Sequence, residues 1–467
     1  MPVEHTSAFP ASVEVVFALL QRPETLSHIA RPFATFEPIG EVVSTWEVGS
    51  MSAYRFRLFG VIPFGTHTIR ILRFDPDGVS SREGNEHVPV WNHDITLKAI
   101  DAKHTEYTDR VEIYAGWKTV FLAVGERILC PSAKEMDQIA EGRTMKVLIY
   151  GAGVIGGQLC HALCACGNDV TVIARGAWAE TLRTEGLRIR HYIQRKDTVD
   201  RPRVLEAPDG ERYDIVFAVM QFRQMEQILP NLASINSPII VLTGNNLSAA
   251  EMEAQLLTHS PTPKTVLFGF GSTAGTRENG RLTTVHMGDG RLTVGKAHEE
   301  VPETVKAVLR QTFSGSRLSV VWCDNMDAWL KYHAAFILPV VYLCYKTGCD
   351  LKKSTRADRK LLLDAVRDAY RLLMALGYPV RPVGDEKSLE PGPLNTMVKI
   401  VIYWMARTRL GALCTTEHCR HAPREMEDLD EAFSALRAKA AGVSMPAFDR
   451  LQRMMPAWEQ VLKTYAK

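Results

Sequence analysis

The sequence predicts a multidomain chain of α+β and α/β class: an α+β segment, a doubly wound α/β segment and an all-helical segment, in that order. Three observations carry this. Residues 1–144 hold many strand-like runs broken by Gly, Pro and Asp, with one helical stretch near each end. From Met145 strand-like and helical runs alternate, and beyond about Cys323 the apolar spacing is helical. At 467 residues the chain can hold two or three domains, each with its own core. The expected boundaries are 1–144, 145–322 and 323–467.

In the first segment Glu4–Phe9 reads as a strand, and Pro10–Leu20 as a helix opened by Pro10 and Ser12. Strand-like runs follow from Thr45–Trp46 onwards, at Tyr54–Phe59, Thr66–Phe74, Val79–Arg82, His93–Ile100 and Thr105–Tyr114. Turn residues such as FDPDG at 74–78 separate them, a last helix is expected over Trp117–Ile128, and the polar stretch Ser132–Thr144 reads as a linker. With VEHTSAFPASVEVVFALLQRPETL at its start and YTDRVEIYAGWKTVFLAVGERIL at its end, this order resembles the SRPBCC or START-like superfamily. The resemblance implies a helix-grip fold with an apolar ligand held between sheet and C-terminal helix. Trp46, Phe64, Trp91 and Tyr114 are candidates for lining that space or for filling a core.

The second segment opens with the most specific pattern in the chain. Lys146–Tyr150 is a short apolar strand, Gly151, Ala152, Gly153, Val154, Ile155 and Gly156 follow it, and a helical stretch runs on to Gly167-Asn168. A second strand, Asp169–Ala174, completes a unit of βαβ length. The glycines have separate tasks: Gly151 permits the tight turn, Gly153 lets a pyrophosphate approach the backbone, and Gly156 lets helix and strand pack closely. Free N–H groups and the positive helix end then face the phosphates. The second strand ends at Arg175 rather than at the carboxylate that would accept from a ribose 2′-OH. A guanidinium suits a 2′-phosphate, so NADP is the expected cofactor. Further strands are expected at Asp214–Met220, Pro238–Thr243, Thr265–Phe268 and Arg281–Met287, giving a mostly parallel sheet covered on both faces. Gly269-Phe270-Gly271 has no helix after it and reads as a strand exit near the active site. In the third segment Lys360–Leu376 and Glu425–Ala441 show helical apolar spacing, the latter with Gly442 as its stop.

Composition limits the partners. A net charge of +2, without a long basic block, excludes a nucleic-acid binder, and the longest apolar run, Ala334–Cys344, is too short to span a membrane. Nine cysteines in a chain of this length, with an opening MPVEHTSAFP unlike a signal peptide, predict reduced thiols and a cytoplasmic location. No metal is expected. Cys160, Cys164 and Cys166 fall on the helix after the glycine turn and suit close packing, while Cys414, Cys419, His418 and His421 match no ligand spacing. The expected partners are a small-molecule substrate, an apolar ligand for the first segment, and a second copy of the chain in a homodimer.

From Met145 to about Pro446 the chain resembles the ketopantoate reductase family on dispersed motifs in the same order. The glycine turn and Arg175 resemble its NADPH site, and Leu242-Thr243-Gly244-Asn245-Asn246 its "xNG" loop, which implies Asn245 near nicotinamide and substrate. GSTAGTRENGRLTTVHMGDGRLTVG at 271–295 follows its glycine–histidine–glycine pattern. Asp327-Ala328-Trp329-Leu330-Lys331 resembles its "xxWxK" segment, implying Lys331 as general acid. Arg424-Glu425-Met426 resembles its "TEI" segment, implying Glu425 beside the nicotinamide ribose. The chain departs from the family elsewhere. Ala335 and Pro339 occupy the places of its substrate-holding asparagines, and Gln221 that of a cofactor-contacting lysine. The serine that grips the substrate carboxylate has no direct match, though Thr415, Thr416 and His418 lie nearby; His333 is a polar newcomer, read as a core histidine ahead of a second acid.

The resemblance implies an NADPH-dependent reductase of a 2-oxo acid or related carbonyl (2-dehydropantoate 2-reductase-like), fused to a hydrophobic-ligand-binding domain. Ketone reduction leaves charge on oxygen that must be stabilised and protonated, work suited to Lys331, Asn245 and Glu425. The alternative is a non-catalytic, NADPH-responsive sensor or binding protein.

Overall fold

The computed structural model describes residues 2–9, 11–23, 34–40, 45–58, 62–84, 90–102, 104–114, 144–286, 290–314, 316, 318–440 and 442–466. They fall into two compact units, Met1–Gly142 and Arg143–Lys467.

The first unit is a single antiparallel sheet with one helix. Its elements are β1 (Pro2–Phe9), α1 (Val13–Leu20), β2 (Ala34–Ile39), β3 (Met51–Leu58), β4 (Ile62–Asp75), β5 (Gly78–Gly84), β6 (Val90–Asp101) and β7 (His104–Tyr114), with strand order β1-β7-β6-β5-β4-β3-β2. The FDPDG turn acts as its residues demand: Asp75 pairs with Gly78 across a two-residue connection. A side chain at Gly78 would meet the Ile95 carbonyl at 2.1 Å. The apolar face of α1 seats Val16 against Phe9, Leu97 and Tyr107. The expected strand at Thr45–Trp46 is corrected to an irregular segment. The Trp46 N–H donates to the Gln21 carbonyl at the end of α1, and its ring is buried with Tyr54, Ile69 and Ile71, so a helix end and a core claim it before a strand can. Trp46 is therefore core. The helix expected over Trp117–Ile128, nearly all of the linker, and the side chains of Phe64, Trp91 and Tyr114 lie outside the described residues.

The second unit begins with β8 (Lys146–Tyr150), α2 (Val154–Ala165), β9 (Asp169–Ile173) and α3 (Gly176–Thr184). Next come β10 (Leu187–His191), β11 (Lys196–Asp200), β12 (Arg203–Leu205), β13 (Ile215–Val219), α4 (Phe222–Ser234), β14 (Ile239–Thr243) and α5 (Ala249–Thr258). Then follow β15 (Thr265–Gly271), β16 (Ala274–Glu278), β17 (Arg281–Val285), β18 (Arg291–Gly295), α6 (Glu303–Thr312) and β19 (Ser319–Trp322). The main sheet has the order β12-β9-β8-β13-β14-β15-β18-β19 and is parallel except where β18 opposes β15. Strand alternation sends Val147 and Ile149 to one core and Leu148 and Tyr150 to the other, so both faces are covered. A second, four-stranded sheet of order β11-β10-β17-β16 was not expected from the sequence beyond the β17 strand.

The remaining chain is helical: α7 (Met326–Lys346), α8 (Arg356–Ala375), α9 (Pro393–Met405), α10 (Arg409–Cys414), α11 (Thr416–His421), α12 (Pro423–Ala438), α13 (Pro446–Arg453) and α14 (Trp458–Tyr465). α8 starts at a reciprocal cap between Thr355 and Asp358. α12 stops at Ala438, four residues before Gly442. No helix among the described residues is long and apolar enough to cross a membrane.

Candidate functional site

The candidate site gathers at the carboxyl ends of the parallel strands, where ligands meet open α/β sheets. The glycine turn leaves β8, Arg175 follows β9, Gln221 follows β13, Asn245 follows β14, and Phe270 sits at the end of β15. Backbone crowding fixes the first of these. Gly151 has φ +113°, and a Cβ there would lie 2.3 Å from the Val219 carbonyl oxygen; one on Gly156 would lie 2.0 Å from the Gly151 oxygen. Gly153, the cap residue of α2, faces open space with nothing within 4 Å of its would-be Cβ. Two glycines are thus demanded by packing and the third by access. Together with the N–H groups of α2 they form a cradle that fits a dinucleotide pyrophosphate.

Arg175 is exposed, and its Nη2 donates to the Tyr150 hydroxyl at 3.3 Å. Trp178 on α3 donates its indole N–H to the Ala152 carbonyl at 2.9 Å, pinning the helix against the glycine turn. Arg277 lies over the same indole at 5.3 Å. Trp178 and Arg277 escaped the sequence reading, although Trp178 stands only three residues after Arg175. Gln221 caps α4 through its backbone without a side-chain cap bond and is half-buried.

Asn245 and Glu425, 180 residues apart, are joined: the Asn245 amide donates to Glu425 Oε1 at 2.8 Å. Only the NH₂ group can donate to a carboxylate, so the amide orientation is fixed. Its Oδ1 is then buried without a hydrogen-bond partner among the described residues. Glu425, in the first turn of α12, is 5 % exposed, and its Oε2 lies 3.5 Å from His418 Nε2. Lys331 is not brought onto this pair by any hydrogen bond or ion pair among the described residues. Buried at 4 % exposure on α7, it forms an ion pair with Asp327 one turn earlier and lies 4.8 Å from the centre of the Tyr378 ring. The i,i+4 spacing of Asp327 and Lys331 was readable in the sequence. Ala335 and Pro339 are buried in the same helix.

His333 stacks on Trp329 with ring centres 5.3 Å apart and meets Phe270 at 4.1 Å. Burial, with His418 facing it, pushes its pKa down to about 4, so the ring is neutral at pH 7. The end of β15 adjoins the glycine turn, since a Cβ on Gly271 would lie 2.8 Å from Ile155 Cγ2. Contacts thus run from Ile155 through Phe270 to His333, and separately from His418 through Glu425 to Asn245. A separate cavity of about 280 Å³, lined by Arg188, Glu278, Asn279, Arg281 and Thr283, touches none of them.

Residues 147–299 match the family model described as ketopantoate reductase PanE/ApbA. An uncharacterized oxidoreductase, YkpB, of Bacillus subtilis (strain 168) is 23% identical over 247 residues, covering 52% of this chain and 80% of the relative. A 2-dehydropantoate 2-reductase of Archaeoglobus fulgidus is 26% identical over 241 residues, covering 50% of this chain and 76% of the relative. Among solved structures, D-mandelate dehydrogenase with NADH and anilino(oxo)acetate is similar with a TM-score of 0.53 and 17% identity, over 69% of this chain and all of that one, a likeness of fold. Together these findings support an oxidoreductase relationship with the ketopantoate reductase family.

Proposed function

We propose that the chain is an NADPH-dependent reductase of a 2-oxo acid or a related carbonyl compound. One observation carries the reading: half-buried Asn245 and buried Glu425, from segments far apart in sequence, are hydrogen-bonded, and the buried Asn245 Oδ1 sits among strand ends that also hold the glycine cradle. Reduced nicotinamide, when bound, supplies the hydride for such a reaction. Arg175 favours the 2′-phosphate form, and Gly151, Ala152, Gly153, Val154, Ile155 and Gly156 hold the pyrophosphate. Asn245 Oδ1 accepts a hydrogen bond from the bound molecules and Glu425 fixes its amide. Lys331 is assigned the proton that the developing alkoxide needs, with Asp327 holding the ammonium in place until then. We further propose three functional regions, 1–144, 145–322 and 323–467, with an apolar ligand for the first in keeping with a START-like fold, a cytoplasmic location and a homodimer.

The buried Lys331–Asp327 pair also favours a second reading, a non-catalytic NADPH-responsive binding protein, because a lysine committed to a carboxylate is less free to act on a substrate. NADPH consumption by the full-length protein, measured with ketopantoate and a panel of bulkier 2-oxo acids, ketones and imines, separates the two. Turnover supports the reductase. Tight NADPH binding without turnover on any compound gives the sensor. In the reductase, Lys331→Ala slows turnover by about 10²–10⁴-fold while NADPH still binds; turnover at the parent rate removes Lys331 from the chemistry.

A further inference from the structure

α9 is apolar on every side although it lies at the surface. Apart from the tips of Tyr403 and Trp404, its polar side chains are Asn395, Thr396 and Lys399. A helix of that kind is ordinarily enclosed by protein. Only one face of α9 is enclosed. There Val398 and Ile402 pack on the helical core, and the Asn395 amide donates to the Ser388 carbonyl at 2.9 Å. The other face is open: Ile400 is 53% exposed, Val401 51%, Tyr403 43% and Trp404 61%. Helical spacing puts Ile400, Val401 and Trp404 on one side, so they form a patch rather than scattered exposures. The surroundings are basic. From Pro391 to Thr416 the chain has no Asp or Glu, but it has Lys399, Arg407 and Arg409. Arg409 pairs with Glu417, whereas Lys399 and Arg407 are exposed and have no carboxylate partner among the described residues. Arg407 lies 4.0 Å from the centre of the Tyr403 ring, and Arg359 of α8 lies 5.3 Å from it. The apolar stripe is thus bordered by cations.

We propose that α9 docks the protein on an anionic lipid surface, lying in the plane of the interface. Ile400, Val401 and Trp404 enter the boundary between headgroups and acyl chains, Tyr403 sits at headgroup level, and Lys399 and Arg407 meet lipid phosphates. At 13 residues α9 is about 20 Å long, enough to lie on a bilayer and too short to cross one. Charge selects this occupant over a second copy of the chain. Two α9 helices related by a twofold axis would set the same cations against each other with no carboxylate between them, so a homodimer would use a different face. Exposure selects it over an acidic protein. Ile400, Val401 and Trp404 are each more than half exposed, so they protrude from the surface instead of lining a groove that a partner side chain could enter.

The test is co-sedimentation of the full-length protein with phosphatidylcholine vesicles, either pure or containing about one-third phosphatidylglycerol, with light scattering of the protein alone beside it. The parent should bind the anionic vesicles at least about tenfold more tightly than the neutral ones, and added salt should weaken that binding. Ile400→Ser combined with Trp404→Ser should lower the affinity for anionic vesicles by about tenfold or more. Lys399→Glu combined with Arg407→Glu should remove the preference for anionic over neutral vesicles. All four side chains are exposed, so both double variants should keep the parent's urea midpoint and NADPH affinity. A parent that sediments with neither kind of vesicle overturns the proposal, as does binding that both double variants retain in full. A parent dimer that the Ile400→Ser, Trp404→Ser variant converts to a monomer assigns the face to a second copy and likewise overturns it.

Discussion

The glycine turn and the Asn245–Glu425–His418 cluster are both parts of one candidate site, yet they are built by different means. At the turn, backbone packs on backbone: a Cβ on Gly156 would sit 2.0 Å from a carbonyl oxygen, and the whole device lies within one short stretch after β8. In the cluster, side chains from the loop after β14, from α11 and from α12 meet across 180 residues through a 2.8 Å hydrogen bond and a 3.5 Å contact. A local backbone device leaves a mark in the sequence because few residues satisfy it. A cluster of dispersed side chains leaves almost none, because ordinary Asn, Glu and His residues acquire a role only through the fold.

The strongest way to break this contrast is to substitute the two kinds of glycine within the turn. Gly156→Ala should cost several kcal/mol of stability, about 3 or more, because only a backbone shift relieves the clash. Gly153→Ala meets nothing within 4 Å and should leave the urea midpoint nearly unchanged while weakening NADPH binding about tenfold. Denaturation and cofactor titration of both variants check this. Equal destabilisation would mean that Gly153 also serves packing.

A comparable effect is expected at α7, where the buried Lys331–Asp327 pair puts side chains under the same burial constraint. Asp327→Ala alone leaves the buried ammonium unpaired and should cost about 3–5 kcal/mol. Lys331→Met combined with Asp327→Asn removes both charges and should recover most of that stability while abolishing turnover. A double variant no more stable than Asp327→Ala would show that the pair is not the source of the loss.

These contrasts explain what was legible in the sequence. β8, the turn, α2 and β9 were readable because a dense apolar strand, three glycines with distinct tasks and a positive-φ Gly167 after the helix all agree. The sheet of β10, β11, β16 and β17 was not. Its strands carry Arg, Lys and Asp, and β10 takes its parallel partner β17 from about 93 residues downstream. Such a pairing is specified by register after the chain has folded, not by local pattern. Thr45–Trp46 misled for the converse reason: β-prone residues were claimed by a helix end and a core. Of the candidate site, Asn245 and Glu425 were found through resemblance to a family, whereas Trp178 required coordinates.

Cofactor choice tests the same contrast at a surface position. Arg175 is exposed and, among the described residues, its side chain is tied only to the Tyr150 hydroxyl at 3.3 Å, so Arg175→Ala should leave stability within about 0.5 kcal/mol of the parent. It should cost about 1.5–3 kcal/mol of NADPH affinity, roughly ten- to hundredfold, and leave NADH binding almost unchanged. Competitive titration with the two cofactors gives the ratio. A parallel loss for both would move the 2′-phosphate contact elsewhere, Arg277 being the nearest alternative cation on the Trp178 ring.

The smallest effect compares two histidines, buried His191 and half-buried His333, one on each side of the contrast. Burial pushes both His191 on β10 and His333 on α7 down to about 4, with facing histidines adding to the shift. Between an unfolded value near 6.5 and a folded value near 4, the unfolded chain binds more protons, so each contribution is complete above about pH 6.5 and is lost as pH falls toward 4. The two sites differ in what surrounds the ring. His191 is bonded at both nitrogens, to His286 at 3.0 Å and Thr198 at 2.8 Å, whereas His333 is held by ring stacking on Phe270 and Trp329. His333→Phe can keep that stacking and remove the titration, so it should flatten the fall of the urea unfolding free energy between pH 6.5 and 4 by about 1–2 kcal/mol without lowering stability at pH 7.5. His191→Phe breaks two hydrogen bonds and should destabilise the protein at both pH values. If the His333 variant instead loses stability at pH 7.5, the ring makes a polar contact that stacking does not explain, and side-chain chemistry reaches further into α7 than the aromatic wall.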